Sequence, residues 1–145
     1  MRRLFDWRIV SITIFILFTA FYVTTSIFVV RGVAIVDRFE SNIQPEDLNL
    51  PAKSVEFHSR NSQLNLKGWY VAAPDKNHTI IFVHGLGSDR SGNNALLIGS
   101  VLWKNGFNVL FFDLRASGQS EGDMVSGGYF EQEDLLGAFD FVYNT

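Results

Sequence analysis

The chain has 145 residues, a formal net charge of −3 and no cysteine; 47% of its residues are hydrophobic and 19% are charged. This composition is too apolar for a disordered chain, and the lack of cysteine excludes a disulfide framework and a thiolate zinc site. The length predicts about one domain.

The first predicted element is an apolar segment near the N-terminus. Residues 9–30 include no charged residue, glycine or proline, and as a helix they are about 33 Å long at roughly 1.5 Å per residue. That length crosses a hydrocarbon core of about 30 Å, and Trp7 lies where an interfacial aromatic anchor is expected. We therefore predict a transmembrane anchor in the lipid bilayer. The alternative is a cleaved secretory signal, whose apolar region is usually shorter, about 7–15 residues.

Basic residues on the two sides of this segment predict its orientation. Three arginines precede the segment and two follow it closely: Arg2, Arg3, Arg8, Arg31 and Arg38. Because basic residues favour the cytoplasmic side, we expect a single-pass protein with a cytoplasmic tip, residues 1–8, and the rest of the chain outside the cytoplasm. Residues 31–145 hold nine Lys/Arg and fourteen Asp/Glu, and this acidic balance argues against nucleic acid as a partner.

The remaining chain is predicted to consist of a membrane-proximal linker, residues 31–53, and a partial α/β domain, residues 54–145. In the linker, Pro45 and Pro51 favour extended or turn geometry. The domain opens with alternating apolar residues that predict an antiparallel hairpin. Two continuous apolar runs then predict buried parallel strands, each followed by an amphipathic helix, and this order indicates a mostly parallel three-layer α/β sheet. The predicted strands are 79–83 and 108–112, and the predicted helices are 93–104, ending at Asn105-Gly106, and 129–143.

Two loops follow the predicted parallel strands, at the sheet edge where open α/β folds build their sites. The first is Val83-His84-Gly85-Leu86-Gly87-Ser88. Its glycines let the backbone turn sharply and leave amide N–H groups free to point into a cleft, where such donors stabilise the oxyanion of a tetrahedral intermediate. An ordinary glycine-rich turn is the alternative. The second loop extends from Asp113 to Gly122.

The ordered segments HGLGS, FFDLRASGQSEG and GGYFEQEDLLGAFDFV, placed after a hairpin, resemble the α/β-hydrolase superfamily. The resemblance covers residues 54–145 and is closest to membrane-anchored bacterial hydrolases of the serine-aminopeptidase-like and esterase/lipase groups. It implies the N-terminal half of an α/β-hydrolase fold. It also implies that the backbone N–H of Leu86 is an oxyanion-hole donor, that Gly85 and Gly87 shape the loop, and that His84 is structural.

The segment Gly118-Gln119-Ser120-Glu121-Gly122 spells the G-x-S-x-G pattern of a nucleophile elbow. An elbow needs a strand that runs directly into the first glycine and a helix that begins directly after the serine. Here the predicted strand ends several residues earlier, and EGDMVSGG after Ser120 does not start a helix. We therefore predict that Ser120 is not the nucleophile.

The other polar residues are predicted to have structural roles. Asp113 and Arg115 are expected to tie their loop together by a charge-assisted hydrogen bond. The acids from Glu121 to Asp140 are interpreted as a helix start and a solvated face. His58 and His78 lie in a strand and a turn without metal-ligand spacing, so no metal or cofactor is predicted.

The resemblance places the nucleophile on the strand after helix 129–143, with the acid and histidine later still. We therefore expect a serine hydrolase that cleaves an ester, thioester or peptide-like bond of a small-molecule or peptide-like acyl substrate through an acyl-enzyme. This chain is expected to be its N-terminal part, inactive alone, with strand 79–83 as an open sheet edge. The alternative is a non-catalytic, membrane-tethered half-fold that binds a partner through that edge.

Overall fold

The structure is a computed structural model that describes residues 6–35, 37–74 and 78–145. The chain divides into an N-terminal unit that ends at Ala34 and a second unit that begins at Ile35. Arg2 and Arg3, which contributed to the predicted orientation, lie outside the described residues.

The N-terminal unit is one helix, α1 (Trp7–Ala34), with no buried residue. By length and composition it is sufficient to cross a membrane. Two of its threonine hydroxyls donate hydrogen bonds to carbonyls one turn earlier, Thr13 to Ile9 and Thr19 to Phe15, each at 2.9 Å. These polar side chains are therefore satisfied within the helix, as a lipid environment requires.

The second unit is built on a four-stranded sheet in the order β1-β2-β4-β3. Its strands are β1 (Ala52–His58), β2 (Asn65–Val71), β3 (Thr79–Phe82) and β4 (Asn108–Phe112). Strands β1 and β2 form an antiparallel hairpin, β2 pairs antiparallel with β4, and β3 pairs parallel with β4. The predicted mixed α/β fold class is confirmed, and β3 is an outermost strand of the described sheet.

Helices α2 (Ala95–Lys104) and α3 (Glu131–Tyr143) cover opposite faces of this sheet. Side chains alternate between the faces along a strand, so Val109 and Phe111 pack towards α2 while Leu110 and Phe112 pack towards α3. The core is thereby divided into two apolar layers. Helix α3 approaches the sheet closely at Gly137, where an added Cβ would lie 2.2 Å from the carbonyl oxygen of His58 in β1.

Both helices begin two residues later than predicted, and α2 ends where the sequence predicted. Asn93 and Asn94 precede α2 with φ of 54° and 60°, a left-handed conformation that delays the first helical turn. At the other end, Gly106 has φ of 85° and donates its N–H to Trp103 O at 2.8 Å, while Phe107 donates to Leu102 O at 3.1 Å. This pair of bonds is the Schellman motif that terminates a helix.

Most of the stretch interpreted as a linker, residues 31–53, belongs to the second unit, because that unit begins at Ile35. Helix α1 continues to Ala34, and a 3-10 helix spans Pro45–Leu48. Leu50 is only 4% exposed and belongs to the core layer under α2, with Leu48 packed beside it. Burial of these apolar side chains is favourable, so the prolines shape a structured approach to β1.

Candidate active site

The first loop after β3, His84–Ser88, is open and exposed; it is called the HGLG loop below. Leu86 is 68% exposed, and a Cβ added at Gly85 or Gly87 would meet nothing within 4 Å. Gly87 has φ of 69°, so it takes the left-handed position of the turn. The backbone N–H of Leu86 donates to no acceptor among the described residues. The exposed loop therefore carries a backbone donor that has no acceptor in the described part of the chain.

His84 connects the HGLG loop to the loop after β4. Its Nε2 accepts a hydrogen bond from the backbone N–H of Leu114 at 3.0 Å, and its Nδ1 lies 2.8 Å from the carbonyl oxygen of Gly85. An acceptor at Nε2 and a donor at Nδ1 describe a neutral imidazole of one tautomer. Both ring nitrogens are thus occupied: Nε2 connects the two loops, and Nδ1 bonds within the HGLG loop.

The loop after β4, residues 113–122, is closed around a buried carboxylate; it is called the 113–122 loop below. Asp113 is 1% exposed and accepts backbone N–H groups from Arg90 at 2.7 Å and Gln119 at 3.0 Å. Burial raises the pKa of Asp113, while the Gln119 hydrogen bond and the Arg90 guanidinium oppose that rise. The Arg90 guanidinium also lies 4.1 Å from the ring centroid of Trp69, so this arginine joins the 113–122 loop to β2 of the sheet.

The prediction of a hydrogen bond between Asp113 and Arg115 is wrong, because each side chain pairs with a different residue. Asp113 pairs with Arg90 at 3.4 Å, and Arg115 pairs with Asp134 at 2.7 Å. Asp134 in the first turn of α3 is fully buried and also accepts the backbone N–H of Arg115 at 2.9 Å. The guanidinium fork suits a carboxylate facing it from another element. Asp134 thus lies at the helix start, as the interpretation of the 121–140 acids has it, but it is buried and paired with Arg115 instead of lying on a solvated face.

Ser120 lies at the bottom of the 113–122 loop and is fully buried. Its hydroxyl donates to the carbonyl oxygen of Asp113 at 2.6 Å and accepts the backbone N–H of Lys67 at 2.9 Å. The strand that precedes this loop ends at Phe112, and the next helix begins at Glu131. The local geometry is therefore that of a loop tied to β2 and lacks the strand-serine-helix arrangement of an elbow.

A pocket of about 320 Å³ lies between the HGLG loop and the start of α3. Leu86, Leu114 and Leu135 supply apolar walls, and Glu131 is the acidic residue of the lining. Glu131 accepts N–H groups from Ser126 and Gly128 at 2.6 and 2.8 Å. Burial would raise the pKa of Glu131, but hydrogen bonds from Ser126 and Gly128 outweigh it and hold the pKa below its usual range.

Sequence reasoning missed Arg90, Asp134 and Arg38. Arg90 and Asp134 supply the charges that pair with Asp113 and Arg115. Arg38 had been used only as evidence on membrane orientation, yet its guanidinium contacts the 113–122 loop. An arginine just after a glycine-rich loop was the available signal for Arg90. Over the described ranges, no group of three or more His, Cys, Asp or Glu side chains is arranged to hold a metal ion.

Comparison with known proteins places this geometry among hydrolases, although no family model matches the chain. The Bacillus subtilis protein YqkD is 38% identical over 71 residues, which are 49% of this chain and 23% of that protein. Mouse lysophosphatidylserine lipase ABHD12 is 33% identical over 84 residues, which are 57% of this chain and 21% of that protein.

Solved structures extend the likeness over most of the chain. Esterase Pf2001 of Pyrococcus furiosus superposes with a TM-score of 0.70 and 31% identity, covering 79% of this chain and 44% of the esterase. The fold is that of the N-terminal part of an α/β hydrolase. The α/β serine hydrolase XC6422 of Xanthomonas campestris shares the fold at a TM-score of 0.56 and 21% identity, covering 64% of this chain and 44% of that one. The chain thus spans less than half the length of each α/β hydrolase or relative named here.

Proposed function

We propose that this chain contributes the oxyanion loop of a membrane-anchored serine hydrolase that cleaves an ester, thioester or peptide-like bond through an acyl-enzyme. The observation that carries the proposal is the backbone N–H of Leu86, which bonds to none of the described residues and lies in an exposed turn beside a pocket. An esterase and a lipase among the similar proteins support hydrolysis of an acyl bond as the reaction class.

In the proposed reaction, the Leu86 N–H of the HGLG loop stabilises the negative charge that develops during acyl transfer. Attack on an acyl carbonyl places negative charge on its oxygen, and a fixed N–H group stabilises that charge without reorganising. The Leu86 amide is kept in place because His84 and Arg90 bind the flanks of the loop to the 113–122 loop. One such donor typically contributes about 10²–10³ in rate.

The nucleophile, the acid and the histidine of the triad are proposed to lie elsewhere than in the described residues. Ser120 does not fit the first role because its hydroxyl is buried and hydrogen-bonded on both sides. His84 does not fit the third because both of its ring nitrogens are occupied. Helix α1 is proposed to be the membrane anchor, with the hydrolase domain on the extracytoplasmic side.

Kinetics of two Leu86 variants in the intact protein test the proposal. Proline at position 86 removes the backbone N–H, and Leu86 is not among the residues whose positive φ would exclude proline. We expect Leu86→Pro to lower kcat for a p-nitrophenyl ester by about 10²–10³. The matched variant Leu86→Ala keeps the amide and should retain most of kcat. Equal kcat values for the two variants would contradict the oxyanion role.

The open edge of the sheet favours a second candidate, a non-catalytic protein that binds a partner by strand addition. Strand β3 has a neighbour on one side only in the described sheet, and such an edge is a template for pairing with another chain. A fluorophosphonate probe distinguishes the two candidates. Labelling of the intact protein at a serine outside residues 1–145 supports the hydrolase, whereas absence of labelling together with absence of esterase turnover supports the partner-binding protein.

A further inference from the structure

Residues 37–48, called the strap below, are hydrogen-bonded to the 113–122 loop and to the residue that follows the HGLG loop. The guanidinium of Arg38 donates to the carbonyl oxygens of Gly118 at 3.2 Å, Ser120 at 2.5 Å and Gly122 at 2.7 Å. The backbone N–H of Ser41 donates to the Asp89 carboxylate, just after the HGLG loop, at 2.5 Å. The strap is therefore held by the 113–122 loop at Arg38 and by Asp89, next to the HGLG loop, at Ser41.

The far end of the strap is anchored in the core. Pro45 is buried at the start of the 3-10 helix, and Leu48 packs against the apolar layer that contains Leu50. The Gln44 N–H donates to the Asp47 carboxylate at 2.9 Å and closes the first turn. Both ends of the strap are thereby fixed.

Between the strap and the HGLG loop lies a second pocket, of about 660 Å³. This size falls within the range of about 300–1,000 Å³ that is usual for small-molecule sites. Four large apolar side chains border it and are half-exposed or more: Phe39 (53%), Ile43 (50%), Leu86 (68%) and Leu97 (55%). Apolar side chains gathered around one concavity and left exposed mark a binding surface.

The polar part of this lining carries no charge. It consists of serine and asparagine side chains, among them Ser88, Ser91 and Asn93, and none of the described Asp, Glu, Lys, Arg or His residues borders the pocket. An ionised ligand group would lose hydration here without gaining a counter-charge. The occupant that suits the lining has an apolar portion and a neutral polar portion. The sequence position of the strap agrees, since residue 37 follows Ala34, the last residue of the apolar helix α1, by three positions.

We propose that the pocket between the strap and the HGLG loop binds the apolar acyl chain of an uncharged ester. Leu86 borders this pocket as well as the smaller one, so the chain of the ligand lies beside the proposed oxyanion donor. The position of the ester group in this inference rests on the proposed function. The position of the acyl-chain site rests on the pocket that the strap lines. It assigns residues 37–48 to the binding site, outside every motif that carries the family resemblance.

Photo-crosslinking of the full chain in phosphatidylcholine nanodiscs tests this assignment. The probe is the methyl ester of a long-chain fatty acid that carries a diazirine and an alkyne, and labelled peptides are mapped by mass spectrometry. We expect adducts on residues 39–48 and 86–97, reduced by an excess of the unmodified methyl ester. The corresponding free carboxylate should label these peptides several-fold less because it is charged. Adducts confined to α1, or equal labelling by the carboxylate, would overturn the assignment.

Variants on helix α2 provide a matched comparison. Leu97→Glu places a charge in the lining and should reduce strap labelling about tenfold. Val101→Glu lies one turn further along the same helix, has the same 55% exposure and does not border the pocket, so it should leave labelling unchanged. Ile43→Asp tests the opposite wall and should behave like Leu97→Glu.

The outcome is independent of hydrolysis because labelling needs no turnover. If Leu97→Glu and Ile43→Asp both keep wild-type strap labelling, the acyl-chain site is overturned, while the oxyanion role tested by the Leu86→Pro kinetics is not affected. Unchanged kinetics in Leu86→Pro together with the expected labelling would overturn the oxyanion role and leave the site in place.

Discussion

The HGLG loop and the 113–122 loop leave adjacent parallel strands at the same edge of the sheet, and both are rich in glycine and serine. In the first, Gly85 and Gly87 have open space around them and Leu86 has an unbonded amide. In the second, a Cβ added at Gly118 would lie 2.3 Å from an Asp113 carboxylate oxygen, and Ser120 is fully buried. The space beside Gly85 and Gly87 is open and could admit a ligand. The space beside Gly118 is filled by the Asp113 carboxylate.

This difference reverses what the sequence motifs suggest at first reading. The 113–122 loop contains the G-x-S-x-G letters of a nucleophile elbow, yet its polar groups are bonded to one another and to Lys67, Arg90 and Asp134. The HGLG loop lacks the G-x-S-x-G pattern, yet it offers the backbone donor of Leu86. Chemical availability, judged by exposure and unsatisfied donors, therefore separates a site loop from a supporting loop better than residue letters do.

The largest effect on the supporting loop is expected from Asp134→Ala. The change leaves the Arg115 guanidinium buried without its carboxylate, which should lower the free energy of unfolding by about 3–5 kcal/mol. Urea denaturation of the detergent-solubilised chain measures it. The control Asp140→Ala removes an exposed partner of Arg60, where solvent screens the pair, and should change stability far less. Similar losses in the two variants would contradict the supporting role of the buried pair.

Alanine substitutions at one glycine of each loop test whether the HGLG loop has open space where the 113–122 loop is filled. Gly118 has φ of 44° and no room for a Cβ beside Asp113, so Gly118→Ala should cost about 1–3 kcal/mol. Gly85→Ala meets nothing within 4 Å and should stay within about 0.5 kcal/mol of wild type. Thermal unfolding of both variants under one set of conditions gives the comparison. A Gly85→Ala variant that is the less stable of the two would reverse it.

A smaller effect is expected from Glu131, whose pKa is lowered by its hydrogen bonds with Ser126 and Gly128. A carboxyl group with a lowered folded-state pKa stabilises the fold above its unfolded pKa, and that stabilisation is lost as pH falls through the folded pKa. Glu131→Gln should therefore be less stable than wild type at neutral pH, with the gap closing in acid. A gap that stays constant from neutral to acidic pH would show that the carboxylate charge is not responsible.

Local patterns were sufficient to predict most of the second unit. The apolar runs that became β3 and β4 are continuous because both strands lie between two helical layers, and the stop at Asn105-Gly106 is a purely local Schellman motif. The rejection of Ser120 as an elbow also followed from local context, since the strand ends at Phe112. Such features are encoded within a few residues, so one sequence suffices to read them.

The contacts that hold the site were not predictable in the same way. Arg38 contacts Ser120 across 82 positions, Ser41 contacts Asp89 across 48, and Arg115 finds Asp134 on a different element. Nothing local to Arg38 distinguishes a membrane-flanking arginine from one that binds three carbonyl oxygens. Pairings of this kind depend on how the chain folds back over the sheet, which neither periodicity nor spacing reveals.

The rate and position of fluorophosphonate labelling in the intact protein test the central contrast most directly. We predict that Ser120→Ala is labelled at the wild-type rate, because Ser120 only ties the 113–122 loop to β2, and that no adduct forms on Ser120 in the wild type. We also predict that Leu86→Pro is labelled about 10²–10³ more slowly, because the oxyanion donor is lost. A mapped adduct on Ser120, or wild-type labelling of Leu86→Pro, would contradict the assignment of chemistry to the HGLG loop and support to the 113–122 loop.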